Sequence, residues 1–428
     1  MTRLLFSIAL SIVWLCSSGQ DRSLPYYLES AKENSPLIKD YRNQSEIHRA
    51  EIQKLKAVYK RSTLEVNGEC LFVPIVSMDG GRTAFRWNAQ DGTDYYGYDL
   101  GESSGHLHAG VTWRQPLLGG GLYKTAREQA LVDEASADNL ARMEEHQLER
   151  SVTENYLICL LDRIQTDYAD SAISLLKRQM DVVQKLAGSG MARHSDLRLL
   201  GIELRANEEA RDAAVHSYHT HLMDLNMLCG IDDTEDVSLA ELSLGMRMRP
   251  ASGLSLFQER YRLDSLGAAA SLRSFNLRYK PRLDLFVNGG MQTGNLSGWY
   301  RHFGWSAGLT FSWTIFDGRQ KSWAEHQERL RQNSIRNFRT NAEYQRNMRI
   351  GQCLAELSGY EEREKSLRTR LYEYAEVLSR YEKEMKAGQV SVLDYITVLR
   401  NKIGTERDYL LARTNRQLVI AAYNYWNW

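Results

Sequence analysis

Proline is nearly missing from this chain: 6 residues in 428, none between Pro116 and Pro250 and none after Pro281. Where proline is absent nothing forces a helix to stop. Between Gly121 and Ala187 glycine is absent as well, so a single helix of roughly 100 Å can form at 1.5 Å per residue. Net charge is also absent, with 54 basic residues against 54 acidic. That balance removes the basic footprint of a nucleic-acid binder, so no nucleic-acid partner is expected. Long apolar runs are lacking too. The longest, Leu4–Leu15, is shorter than the roughly 18 to 20 residues a spanning helix needs, so a mature chain that crosses a membrane must cross as β-strands.

Catalytic signatures are missing in the same way. There is no nucleophile elbow, phosphate loop, zinc-protease motif or dinucleotide fingerprint, and the expectation is a protein that is not an enzyme and carries no cofactor. The cysteines Cys70, Cys159, Cys229 and Cys353 have neither close pairing nor metal-ligand spacing and read as isolated buried thiols. His216, His219 and His221 cluster locally, and 216 and 219 share a helical face. With no carboxylate or cysteine completing a site they read as solvated helix residues, so no metal site is expected.

At the front, Arg3 is followed by an apolar core and then by Ser17, Ser18 and Gly19, which reads as an export signal over residues 1–19. Cys16 raises the alternative of a lipid-attachment site. Leu15 before it is larger than the small residue such a site normally carries.

What is present is a repeat. Gly110-Val-Thr-Trp-Arg-Gln-Pro-Leu-Leu-Gly-Gly120 returns 198 positions later as Gly308-Leu-Thr-Phe-Ser-Trp-Thr-Ile-Phe-Asp-Gly318. Ala126 and Gln129 match Ala324 and Gln327, and Gly190 and Asp196 match Gly388 and Asp394 at the same offset. A fixed-offset match without gaps defines one unit used twice. The unit reads strand, long helix, tight turn, return helix.

The strands show as alternation. Trp305, Ala307, Leu309, Phe311, Trp313 and Ile315 are apolar, while Ser306, Gly308, Thr310, Ser312 and Thr314 are small or polar. In the first copy Leu107, Ala109, Val111 and Trp113 alternate with His106, His108, Thr112 and Arg114. Partner strands are expected over about 63–76 and 282–291, with these strands at about 106–117 and 304–316. Together with an export signal, this pattern is that of a membrane barrel, with Trp113, Leu309, Phe311 and Trp313 facing lipid. Four strands cannot close a barrel, so several copies of the chain must contribute.

The helices show as heptads: Ile173, Leu176, Met180, Val183 and Ala187 in one copy, Leu371, Tyr374, Leu378, Tyr381 and Met385 in the other. Long helices are expected over 122–187 and 320–386, with return helices over 196–228 and 392–428. Repeat 1 then occupies 20–231, a linker 232–253, and repeat 2 254–428. Gly188, Gly190 and Gly388 make the turns. Asp196 and Asp394 fall in the first turn of each return helix, where negative charge is favourable. Ser391 completes a Ser-x-x-Asp capping arrangement for Asp394, and Arg193 at the equivalent place offers none to Asp196. The aromatics Phe85, Trp87, Tyr95, Tyr96 and Tyr98 fall in a long loop between strands and read as loop-packing or interfacial residues.

With the duplication, the strand ending Thr314-Ile-Phe-Asp-Gly318 and the turn Ala387-Gly-Gln-Val-Ser-Val-Leu-Asp394-Tyr-Ile-Thr-Val-Leu399, the chain resembles the TolC family of outer-membrane efflux proteins along its mature length. The resemblance implies a mainly α fold with a membrane β-barrel: a homotrimer in outer-membrane lipid, 12 strands in the barrel, and a periplasmic helical tunnel. It implies that the tip docks on a periplasmic adaptor protein and an inner-membrane pump or ABC transporter, with Gly188, Gly190, Gly388 and Ser391 at the docking turns. It also places Asp196 and Asp394 at the channel entrance, a role that leaves helix capping open beside it. Met385, Val390 and Thr397 stand where the best-studied member carries its latch and second carboxylate, so its closing mechanism is not carried over. The competing expectation is an exported coiled-coil scaffold or adaptor without a barrel.

Overall fold

The computed structural model describes residues 22–70, 75–77, 84–86, 107–190, 192–233, 235, 237–248, 255–293, 303–387 and 389–428. The export signal with Cys16, the loop residues Trp87, Tyr95, Tyr96 and Tyr98, and Gly388 lie outside them.

Helix α1 (Leu24–Asn34) stops at Ser35, whose backbone is extended, as the residue before a proline must be, and α2 (Pro36–Lys60) begins at that proline. Strand β1 (Thr63–Cys70), the short pair β2 (Ile75–Ser77) and β3 (Ala84–Arg86), and β4 (Leu107–Pro116) follow. The first long helix, α3 (Gly119–Gly188), has 70 residues and its return helix α4 (His194–Cys229) has 36. The second copy runs α5 (Leu256–Phe275), a 3₁₀ turn (Asn276–Tyr279), β5 (Arg282–Thr293) and β6 (Phe303–Ser312). Its long helix α6 (Gln320–Lys386) has 67 residues and its return helix α7 (Val392–Trp426) has 35. Gly351 and Gly359 do not interrupt α6. No described helix is long and apolar enough to cross a membrane.

Three sequence expectations need correction. The first strand ends at Cys70, not 76: Ile75–Ser77 pairs with Ala84–Arg86 as a separate two-stranded piece. The long helix starts at Gly119, not 122, taking in three glycines. Strand β6 stops at Ser312 because its partner β5 begins at Arg282, which pairs with Ser312, so nothing remains to extend the ladder. Trp313 is therefore not a strand residue. Its indole Nε1 donates instead to the Tyr279 carbonyl at 3.1 Å.

The chain forms two compact units that cut across the repeats. One takes residues up to Asp40 with Leu140–Gln258 and Arg339–Trp428, and the other takes Tyr41–Asn139 with Glu259–Phe338. In the first, Tyr27 and Ala31 of α1, Val152, Tyr156 and Leu157 of α3, and Leu222 and Leu225 of α4 share a buried cluster with linker residue Leu239. Cys159 and Cys229 belong to it as free thiols, and burial pushes both up to about 12. Cys353 is likewise free and buried.

The described residues of the inter-repeat linker have almost no regular structure, yet side chains from three helices and a C-cap hold their backbone. Asn226 donates to the Asp233 carbonyl (2.7 Å), Tyr218 to that of Val237, Arg163 to that of Leu239 and Tyr156 to that of Ala240 (2.7 Å). From α7, Gln417 accepts from Leu244 N–H (2.7 Å) and Asn424 brackets Gly245 and Arg247, and the C-cap Asn427 donates to the Arg247 carbonyl (2.9 Å). These bonds replace the ladder the segment lacks.

Candidate functional site: a two-faced sheet and a paired helical tip

The second unit carries an antiparallel sheet in the order β1-β4-β5-β6. Residues directly opposite across an antiparallel ladder point to the same side. The register Leu64↔Trp113↔Val287↔Ala307 and Val66↔Val111↔Gly289↔Trp305 therefore puts the apolar parity of all four strands on one face. Leu283, Leu285, Leu309, Phe311 and Phe303 fall on the same side. The opposite face carries Thr63, Glu65, Asn67, Thr112, Arg114, Asp284, Asn288, Ser306 and Thr310. Within one chain the apolar face is uncovered: Trp305 is 75%, Leu309 62%, Phe311 62% and Val66 82% exposed. Strands β1 and β6 each have one unpaired edge.

The polar face is unusually bare, and two of its glycines explain why. A Cβ on Gly290 would lie 2.4 Å from the Ala109 carbonyl oxygen, so β4 and β5 can approach this closely only without one. A Cβ on Gly308 would meet the Phe286 ring at 2.7 Å. Phe286, the one large apolar residue on this face, thus lies over the neighbouring strand.

In the first unit the two hairpin turns come together. Leu176 and Val183 of α3, Leu200 of α4, Met385 of α6, and Val392, Tyr395, Ile396 and Leu399 of α7 form one buried cluster, with Ala192 and Leu197 packed against it. Arg400 on α7 reaches Glu203 on α4 at 3.5 Å. Burial drives the Tyr395 hydroxyl up to about 12. Gly188 closes α3, and Gly190 turns the chain with φ 78°, a left-handed conformation that favours glycine.

The two return helices are capped by different halves of the same device. Ser391 Oγ accepts from the Asp394 N–H at 3.1 Å and donates to its carboxylate at 2.7 Å. At the first tip it is the Asp196 carboxylate that accepts, from the Arg193 N–H at 3.1 Å. The sequence reading that no box exists there holds only for the Arg193 side chain. Asp394 and Thr397 remain exposed at the surface, and Met385 is 2% exposed in the cluster.

No three potential metal ligands gather among the described residues. His221 nevertheless has a carboxylate partner that sequence proximity hid: Asp162, 59 residues earlier, at 2.5 Å. Burial raises the Asp162 pKa, and His221 opposes that shift. His146 was not singled out by any motif. It is buried in a stack with Tyr425 and Trp428, at ring distances of 4.8 and 3.9 Å, and its Nε2 lies 3.0 Å from the Tyr425 carbonyl.

No protein-family model and no curated protein sequence matches the chain. Solved structures do. The outer membrane protein VceC of Vibrio cholerae superimposes with a TM-score of 0.73 at 12% identity, over 94% of this chain and 95% of that one. The CmeC outer membrane channel of Campylobacter jejuni gives 0.66 at 13% identity, over 94% and 85%. The open state of the MtrE outer membrane channel of Neisseria gonorrhoeae gives 0.63 at 17% identity, over 94% and 88%. Over nearly the whole of each chain, the long helices and small antiparallel sheet have the fold of these outer-membrane channels. More narrowly, this chain has the fold of the TolC-family efflux channels.

Proposed function

We propose that the protein is an outer-membrane duct for efflux or secretion, working as a homotrimer. The observation that carries this is the sheet: apolar over one whole face, polar over the other, with an unpaired edge on each side. Inside the chain, β4 of the first repeat pairs with β5 of the second. The same joint made between β6 of one copy and β1 of the next extends the sheet without a new kind of contact. Three copies of the four-stranded sheet then supply the 12 strands that the family resemblance calls for. Bilayer lipid covers Leu309 and Phe311, and the polar face becomes the wall of the passage.

By the same reading the paired tips form the periplasmic mouth, with Asp196 and Asp394 of three copies around one opening. A periplasmic adaptor would dock at the turns built by Gly188, Gly190, Gly388 and Ser391, and an inner-membrane pump or ABC transporter would feed the duct. Passage through such a channel requires no chemistry of the protein itself, so it is not an enzyme.

The test is membrane fractionation and native mass measurement of detergent-extracted protein. A duct is found in the outer membrane as a trimer, and Phe311→Arg lowers the trimer yield because a charge near the bilayer midplane costs about 2 to 4 kcal/mol. A soluble monomer, indifferent to Phe311→Arg, would overturn the duct and favour the competing coiled-coil scaffold.

A further inference from the structure

Just beyond each repeat's second strand the chain exposes a pair of adjacent large apolar residues. These are Leu117 and Leu118 in the first copy, 49% and 48% exposed, and Ile315 and Phe316 in the second, 82% and 84% exposed. The pairs are equivalent at the 198-residue offset of the repeat. The elbows that present them are built differently. In the first, Leu117 N–H extends the ladder to the Leu283 carbonyl (2.9 Å), and Gly119 sits so close to Tyr59 that a Cβ would overlap its carbonyl oxygen at 1.7 Å. In the second, Asp317 accepts from the N–H groups of Arg319 (3.0 Å) and Lys321 (2.8 Å) and from the Tyr279 hydroxyl, and Gly318 and Arg319 take positive φ values of 65° and 69°. Two unlike constructions that hold the same apolar pair out to solvent indicate a surface kept for something that covers it.

In the first copy Leu117 also continues the apolar parity of β4, after Val111 and Trp113, while its N–H is still on the ladder to Leu283; Ile315 and Phe316 lie beyond the end of β6. Neither long helix has an acidic residue inside its first turn, though the Asp317 carboxylate just ahead of α6 accepts from the Lys321 N–H. Exposed bases stand nearby instead: Lys124 and Arg127 in one copy, Arg319 and Lys321 in the other. None of the four side chains makes an ion pair with a carboxylate among the described residues, although the backbone N–H groups of Arg319 and Lys321 bond to Asp317. An apolar pair followed by unpaired bases matches the boundary between acyl chains and lipid phosphates.

We propose that Leu117–Leu118 and Ile315–Phe316 are interfacial anchors, seated among the acyl chains beneath the phosphate layer on the side where the long helices leave the bilayer. This rests on the barrel reading above. It adds that the chain fixes its depth in the membrane with both elbows and not only with the sheet. The test places the photo-crosslinking residue p-benzoylphenylalanine at Leu118, Phe316 or Phe311 of the full-length protein and irradiates intact outer membranes. The expected result is a chain of monomer mass carrying lipid at all three positions, and none at Tyr372, which is 74% exposed on α6. Lipid at Phe311 with a cross-link to a second chain, or no product, at Leu118 and Phe316 would overturn the anchors and leave the barrel standing. No lipid at Phe311 either would overturn the barrel itself and the anchors with it.

Discussion

Single residues decide how closely the strands approach. Gly290→Ala places a Cβ 2.4 Å from a backbone oxygen that cannot move without opening the β4–β5 ladder. It should lower the temperature at which the sheet melts, followed by circular dichroism, whereas Gly304→Ala, with nothing within 4 Å, should leave it unchanged. Equal effects of the two would show that strand spacing is not what Gly290 secures. A second residue-scale effect concerns acid. His146 at 3.8 Å and Lys32 at 2.5 Å hold the Glu149 carboxyl at about 2, below its ordinary 4.5. A depressed folded-state pKa contributes stability that is complete above about pH 4.5 and is lost as pH falls toward 2. Glu149→Gln should therefore flatten the loss of thermal stability over that window and lower stability at pH 7. An unchanged acid profile would rule the carboxylate out as its source. At the second tip, Ser391→Ala removes the cap bond to Asp394 and should cost about 1 kcal/mol in urea unfolding.

At the scale of elements, the segment least like an element is among the most tightly held. The break in helical pattern marks the inter-repeat linker, but not its hydrogen-bond partners, because Tyr156, Arg163, Tyr218, Gln417 and Asn424 are scattered along three helices. Asn424 satisfies both the Gly245 carbonyl and the Arg247 N–H. Asn424→Ala should release the linker there, at about 1 to 2 kcal/mol for two bonds of ordinary worth, and speed tryptic cleavage after Arg247. A cleavage rate equal to the wild type's would mean that Gln417 and Asn427 suffice.

At the scale of the assembled molecule, the two tips carry the prediction. Their turns share one buried cluster, so Asp196 and Asp394 sit on neighbouring helix starts. Three copies around one opening would focus negative potential there and favour cations. Asp196→Ala with Asp394→Ala should weaken cation preference, and block by trivalent cations, in planar-bilayer recordings. Unchanged selectivity with reduced thermal stability would leave both residues as helix caps alone.

What the residues determined by themselves was local and periodic. Proline-free heptads make α3 and α6, two-residue alternation makes β4 and β6, and the 198-residue offset makes each half a copy of the other. Each of these signals is carried by neighbours a few positions apart, or by comparing the chain with itself. What only the tertiary structure decided was pairing at a distance. The register aligned four separate alternations on one face, β5's start at Arg282 ended β6 before Trp313, and the fold gave His221 its Asp162 and His146 its aromatic stack. Such partners lie tens to hundreds of residues apart. No period links them, and only packing fixes which side chain meets which.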